Sequence, residues 1–309
     1  GAVDISTRNG LGSCGFFRRI MKDLIVIGSA GFTGRRLCLI LMQKGISFDA
    51  LVRESTDTSL VEQYAEDLVL GDITDREKLA DLLAGYERCI HIPNLAAVKD
   101  VDRYIKVYED SDLKKVVFVS STNMFTKLPA STKPRREAAE VAIMKSGLNY
   151  VIIRPTMIYG GEDDRNICRL VQIIKNWPVF PVFNGGRAMQ QPIYVKDHAQ
   201  ALVYALISDE TNRKCYNISG KEPFTYQEMV SRLATVLDER IKIISVPVAP
   251  IYSITRMLER MHIPVPFRSE QLLRLVEDKY FDHQEAAKDF GFNPRSFEEG
   301  IIDGYWGGK

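Results

Sequence analysis

Two stretches of this 309-residue chain carry residue types whose spacing could do chemistry. The first is Gly28-Ser29-Ala30-Gly31-Phe32-Thr33-Gly34, which follows the apolar run Leu24-Ile25-Val26-Ile27 and leads into a helical pattern. Glycines at this spacing let a turn adopt positive φ and bring backbone N–H groups close to a pyrophosphate. The helix that follows adds the positive end of its dipole. Gly34 lets that helix sit close on the first strand. The spacing is G-x-x-G-x-x-G rather than the commoner G-x-G-x-x-G. Its place at the first strand–helix junction makes it informative, and dinucleotide binding is the expectation over a merely structural turn.

The end of the second strand reads on the cofactor. An acidic residue there accepts from a ribose 2′-OH, whereas an arginine pairs with a 2′-phosphate. Here the strand ends Ala50-Leu51-Val52-Arg53, and Arg35 follows the last motif glycine. Both favour NADP(H). The alternatives are that the arginines are solvated surface residues and that Glu54 or Asp49 serves NAD.

The second stretch is STNMFTKLPASTKPRREAAEVAIMKS, residues 121–146, between two apolar runs. A proton donor would fit this place in a nucleotide-binding enzyme. Yet the stretch has no Tyr, His, Asp or Cys. Pro134 suits the first turn of a helix. Outside the stretch, His91 closes an apolar run at the edge where ligands of such sheets bind, so it is a candidate acid–base group. The competing reading is that His91 only passes the cofactor. Tyr159 and Tyr194, at the junction with the second half, could project into the cleft, and His198 falls at a helix start, where packing or capping is the expected role.

These residues need a scaffold. Apolar runs at 24–27, 48–52, 68–70, 89–92, 116–120 and 150–153 alternate with helical patterns at 35–44, 60–65, 76–84, 101–109 and 135–145. Alternation of this kind makes right-handed crossovers and a parallel sheet covered on both faces. The fold class is therefore α/β, a Rossmann-like doubly wound parallel sheet over residues 21–155. Residues 156–309 read as a smaller α-rich lobe for substrate. It has helices at 197–207, 225–237, 250–261, 269–277 and 284–290, and short strands at 193–195, 216–218 and 241–246. Thr225 with Glu228 fits a capping box. Residues 1–20 read as an N-terminal tail before a start at Met21, with a genuine extension as the alternative.

Charge and cysteine use narrow the function classes. The chain has 41 Lys and Arg against 40 Asp and Glu, so no electrostatic case exists for nucleic acid or an anionic membrane. Five scattered cysteines make neither a disulfide scaffold nor a zinc site, and a reducing cytoplasm is the expected compartment. No apolar run approaches the roughly 20 residues of a membrane span.

Taken in order, several segments resemble the extended short-chain dehydrogenase/reductase superfamily, which includes nucleotide-sugar epimerases and dehydratases. They are the glycine motif, Gly71-Asp72-Ile73-Thr74-Asp75, Val117-Phe118-Val119-Ser120-Ser121-Thr122 and Arg154-Pro155-Thr156-Met157-Ile158-Tyr159-Gly160. Three more are Gln191-Pro192-Ile193-Tyr194-Val195-Lys196-Asp197-His198, Tyr216-Asn217-Ile218-Ser219-Gly220 and Phe290-Gly291-Phe292-Asn293-Pro294. The resemblance implies that Asp72 accepts from the adenine amino group and that Ile73, Pro93, Ser120 and Pro155 lie along the cofactor. Gly28, Ala30, Gly31, Phe32, Thr33 and Gly34 would then cradle its phosphates.

The resemblance also implies a Tyr-x-x-x-Lys pair, in which a lysine lowers the tyrosine pKa, and a Ser or Thr that positions substrate. Thr122 matches the last. A short run ending in Glu, Arg136-Glu137-Ala138-Ala139-Glu140, aligns Thr132 with the tyrosine position and Arg136 with the lysine. An alcohol is a far weaker acid than a phenol, and a guanidinium is no compact ammonium, though Arg136 could still hold ribose or phosphate oxygens. Three functions follow. One is a cofactor-binding or sensing protein without the usual redox chemistry. Another is an NADP-dependent reductase or epimerase-like enzyme with a replacement acid, such as His91. The third is a non-catalytic subunit of a larger assembly. A small-molecule or nucleotide-sugar substrate, met by Arg165, Arg169, Arg187 and Arg268, and a homodimer stay open.

Overall fold

The computed structural model describes residues 22–161, 163–164, 166–263 and 269–305. The tail before Met21, Met21 itself, Arg165 and Arg268 lie outside the described residues. In chain order the first half runs β1 (Lys22–Ile27), α1 (Phe32–Gln43), β2 (Asp49–Val52), β3 (Asp67–Leu70), α2 (Arg76–Leu83), β4 (Tyr86–His91), α3 (Val101–Glu109), β5 (Lys115–Val119), α4 (Lys133–Lys145) and β6 (Tyr150–Pro155). The second half runs β7 (Ile158–Tyr159), α5 (Ile167–Asn176), β8 (Val179–Phe183), β9 (Met189–Gln190), β10 (Ile193–Tyr194), α6 (Val195–Ile207), β11 (Lys214–Ile218) and β12 (Phe224–Thr225). It closes with α7 (Tyr226–Val236), β13 (Lys242–Val246), α8 (Val248–Arg260), α9 (Ser269–Arg274), α10 (Gln284–Phe290) and α11 (Phe297–Tyr305).

Seven parallel strands form the central sheet in the order β11-β6-β5-β4-β1-β2-β3. The strand side chains alternate between two cores, as the pleat requires. Leu24, Val26, Val117, Val119, Val151 and Ile153 join the cluster that includes Leu37 and Leu41 of α1 and Leu202 of α6. Ile25, Ile27, Val116, Phe118, Tyr150 and Ile152 face the cluster of α2, α3 and α4. Burial on both faces is why these strands read as unbroken apolar runs. The strand order turns about β1 and β4, so the carboxyl ends of these strands open a crevice for a ligand.

The α-rich second half is not separate from the sheet. Strand β11 pairs in parallel with β6 as the seventh strand, and α6 packs on α1. A third core, including Ile167, Val182, Val230 and Phe297, belongs to the second half itself.

Several local expectations are corrected. Residues 60–65 form turns, not a helix, because Val61 alone in that stretch is buried and one turn cannot propagate without packing. Helix α1 begins at Phe32, inside the glycine motif. Helix α9 stops at Arg274 rather than continuing to residue 277, since the chain there is drawn out alongside β9: Lys279 N–H donates to the Met189 carbonyl at 2.7 Å. Helices α5 and α11 and the β8–β13 pair go beyond the sequence reading. Among the described residues no helix is long and apolar enough to cross a membrane, and no group of three His, Cys, Asp or Glu could hold a metal.

Candidate functional site

Two cavities adjoin at Ile92 along the carboxyl edge of the sheet. The first, about 610 Å³, is lined by Gly28, Ala30, Gly31, Arg53, Ser55, Thr56, Asp72, Ile73 and Pro93, among others. The second, about 710 Å³, is lined by Phe32, Thr33, Arg35, Ser120, Thr122, Pro155, Asp163, Arg274 and Lys279, among others. The sequence-predicted cofactor residues thus fall along the two cavities, except that Gly34 and Arg136 line neither.

Backbone geometry explains the turn between them. Gly28 has φ +88°, and a Cβ there would stand 3.0 Å from Pro93 Cδ. Gly34 sits inside α1, where a Cβ would stand 2.1 Å from the Gly28 carbonyl oxygen. Only hydrogen fits, so the helix N-terminus is drawn onto the turn.

In the first cavity Arg53 is exposed at the end of β2, with Ser55 and Thr56 beside it. Asp72 accepts from Thr74 N–H and Thr74 Oγ1, each at 2.8 Å. Those bonds hold its carboxyl below the usual range, with a smaller pull from Arg53. Asp49 is buried and accepts from the Tyr86 hydroxyl at 2.6 Å, which occupies one of the two acids that could have served a ribose. Glu54 is exposed.

Arg35 is placed differently from Arg53. It bonds Asp163 and lines the second cavity. Arg36 grips the same carboxylate with two bonds of 2.6 Å and lies over the Phe32 ring. Burial works to raise the Asp163 carboxyl, but its bond to Arg36 and the charges of Arg36 and Arg35 outweigh that and hold it low. Two arginines at the positive end of a helix repel each other and the dipole; Asp163 offsets part of that field.

Behind the wall of the second cavity, beyond Ser120, lies a buried ion pair. Glu140 of α4 is 1% exposed and meets Arg154 of β6 through Nε at 2.9 and 3.1 Å, and through Nη2. The Ser120 hydroxyl donates to the same carboxylate at 2.5 Å. Thr122 is nearly buried and donates to the Pro155 carbonyl at 3.1 Å. These contacts lock the end of β5 against β6 beside the cleft.

The acid–base candidates are not gathered there. Thr132 is the N-cap of α4 and makes no side-chain capping bond, and Arg136 is half-buried one turn on. His91 is fully buried and bonds the Tyr108 hydroxyl at 2.8 Å, and burial pushes its imidazole down to about 3. It lines neither cavity, and a neutral core imidazole is no proton donor to a cleft ligand. Tyr159 donates to the Phe297 carbonyl at 3.1 Å, and Tyr194 packs under Arg295; both are buried. His198 is fully buried. Sequence reasoning missed Asp163, Arg274 and Lys279, because each reaches the cleft from a segment with no motif.

An NAD(P)H-binding family model matches residues 28–173, and a model of the 3-beta hydroxysteroid dehydrogenase/isomerase family matches residues 130–247. The chain is 24% identical over 270 residues to NADH dehydrogenase (ubiquinone) 1 alpha subcomplex subunit 9, mitochondrial, of Arabidopsis thaliana, covering 81% of this chain and 67% of that one. It is 24% identical over 211 residues to the 4-hydroxy-2-methyl-3-oxo-4-farnesyl-3,4-dihydroquinoline-1-oxide ketoreductase of Stigmatella aurantiaca, covering 58% and 63%. Among solved structures, an NADPH-dependent quinone oxidoreductase of Escherichia coli superposes with a TM-score of 0.69 at 16% identity, over 89% of this chain and 97% of that one. That likeness speaks for the fold.

Proposed function

We propose that this chain, whose residues 28–173 match an NAD(P)H-binding family model, is an atypical short-chain dehydrogenase/reductase-like protein that binds NADP(H) without the superfamily's tyrosine–lysine redox chemistry, in a cofactor-sensing or assembly role. One observation carries the reading. Among the described residues lining the second cavity there is no Tyr, His or Cys. Its hydroxyls are alcohols, which do not titrate near neutral pH, and its carboxylates are engaged: Asp163 by Arg35 and Arg36, and Asp164 by the N–H groups of Gly160, Asn166 and Ile167.

The preference for NADP over NAD rests on Arg53, Ser55 and Thr56 at the rim of the first cavity, with Asp49 engaged by Tyr86. A 2′-phosphate suits a guanidinium flanked by hydroxyls. When bound, the dinucleotide supplies hydride chemistry. The chain's own residues then act as follows: the turn from Gly28 to Gly34 presents backbone donors to the pyrophosphate, Arg53 meets the 2′-phosphate, and Ser120 and Thr122 flank the nicotinamide end. The similarity to an NADH dehydrogenase subunit supports an assembly role.

A second reading is a reductase. Thr122 still faces the cleft, and hydride transfer to a strongly polarised acceptor asks little of an acid; the ketoreductase relative favours this reading. One experiment separates them. NADPH affinity is measured by fluorescence titration, and acceptors are then screened for loss of the reduced-nicotinamide absorbance. Saturable binding without turnover on quinones, aldehydes, ketones and nucleotide sugars is the expected result. Turnover on any of them selects the reductase.

A further inference from the structure

Helix α8 carries its apolar stripe on the outside. Ile254 and Met257 are each 60% exposed, and Met261, at the C-cap, is 57% exposed. With about 3.6 residues per turn, positions 254, 257 and 261 fall on one side of the helix, with the half-buried Ile251 and Leu258 along its edge. Val248 and Thr255, which point the other way, are the buried residues of α8. Ile263, two residues beyond Met261, is exposed as well. A surface helix ordinarily turns its apolar stripe to the core and its polar residues to water. Here a threonine faces the core and isoleucine and methionine face water. One exposed apolar side chain needs no explanation, but a stripe of them marks a surface that meets something.

The charges of α8 are sorted too. Its one acidic residue, Glu259, accepts from Ser269 N–H at 2.9 Å and from the Ser269 hydroxyl at 2.6 Å, and so is directed to α9. Its two basic residues, Arg256 and Arg260, are exposed on the flank beside the stripe. Arg256 has a neutral partner: it donates to the Tyr252 hydroxyl at 3.3 Å and lies over that ring. Among the described residues neither arginine pairs with a carboxylate. The chain as a whole balances 41 Lys and Arg against 40 Asp and Glu, but this face of α8 is positive.

An apolar stripe with a basic flank suits a helix that lies in the plane of a membrane surface. The apolar side chains enter the acyl boundary, and the arginine stems run along it while their guanidinium groups stay among the headgroups. A second copy of the chain is the poorer occupant. A two-fold contact pairs one patch with itself, so it would bring the same arginines and no acid to face them. Anionic headgroups supply that counter-charge.

We propose that the outer face of α8 docks the protein on an anionic lipid bilayer, with Ile254, Met257 and Met261 in the acyl boundary and Arg256 and Arg260 against the headgroups. The helix lies flat and does not span. The inference stands apart from the cofactor reading, and neither falls with the other.

The test uses the full chain and two kinds of vesicle, phosphatidylcholine alone and phosphatidylcholine mixed with phosphatidylglycerol, with the bound fraction read by co-sedimentation. The expected result is saturable binding to the phosphatidylglycerol vesicles, about tenfold or more weaker on phosphatidylcholine alone, and reduced by added salt. The double variant Ile254→Gln, Met257→Gln cuts that binding about tenfold or more. The double variant Arg256→Gln, Arg260→Gln removes the preference for phosphatidylglycerol. Ile302→Gln, which changes an exposed apolar side chain on α11, leaves binding as it was. Urea midpoints close to the parent's confirm that the variants fold. The proposal is overturned if the parent does not bind the phosphatidylglycerol vesicles, if it binds both kinds equally, or if the α8 variants bind as the parent does. In the first case, a dimer in light scattering that Ile254→Gln, Met257→Gln dissociates would assign the face to a second copy.

Discussion

The first cavity is shaped mostly by backbone: a turn with positive φ, a helix N-terminus drawn onto it through Gly34, and one arginine at the rim. At the second, side chains dominate. A buried Glu140–Arg154 pair holds the strand ends, alcohols and aspartates line the wall, and Arg274 and Lys279 enter from a segment far along the chain. Backbone geometry is set by a few glycines and tolerates little change. A side-chain constellation can lose its chemistry one substitution at a time while the frame under it stays.

The contrast is broken most severely by Glu140→Ala. It leaves the Arg154 guanidinium, 15% exposed, without its carboxylate, and is expected to destabilise the chain by about 3–5 kcal/mol in urea unfolding. A loss below about 1 kcal/mol would mean that the pair does not hold the second cavity together. At the other end, Gly34→Ala should cost about 3 kcal/mol and abolish NADPH binding, since the new Cβ meets backbone oxygens of Gly28 and Ser29. Retained affinity would show that the helix need not touch the turn.

Arg53→Ala sharpens the comparison without disturbing the fold. NADPH affinity should fall about tenfold while NADH affinity stays, because one charged hydrogen-bonded contact to a phosphate is lost. Equal loss for both cofactors would remove the NADP assignment.

Acid sensitivity belongs to neither cavity. His91 and His198 are fully buried, and burial pushes both imidazoles from 6.5 down to about 3. A depressed histidine favours the folded state above its unfolded value, and that contribution is lost as pH falls from 6.5 towards 3. The urea midpoint should therefore drop between pH 7 and pH 5. His198→Leu should make that drop smaller; an unchanged drop would show that other groups carry it. The smallest effect is expected from Thr122→Val, which removes the bond to the Pro155 carbonyl for about 1 kcal/mol.

The sheet was legible because strands buried on both faces write themselves as apolar runs, and β1, β4, β5 and β6 do so. The capping box of α7 was legible too, and Thr225 and Glu228 make both of its bonds. Helix α5 has an amphipathic pattern but is hidden among the breaks around it, and residues 60–65 had helical spacing but bury only Val61 fully, over a stretch too short to propagate a helix. Gly28 and Gly34 announced the first cavity because their role lies in local backbone. Asp163 and Lys279 did not announce the second, because Asp163 meets Arg35 and Lys279 meets the Met189 carbonyl only through the tertiary fold. His91 misled by its place at a strand end: an end residue can face the core as readily as the crevice, and this one bonds Tyr108.

The central proposal is a cleft that holds NADP(H) without a tyrosine–lysine pair to use it. Its most direct test is to load the protein with stoichiometric NADPH, add a ketone or quinone acceptor, and follow the reduced-nicotinamide absorbance beside a protein-free control. The account predicts saturable binding with absorbance decaying only at the control rate. Decay well above that rate, restored with each addition of NADPH, would contradict it.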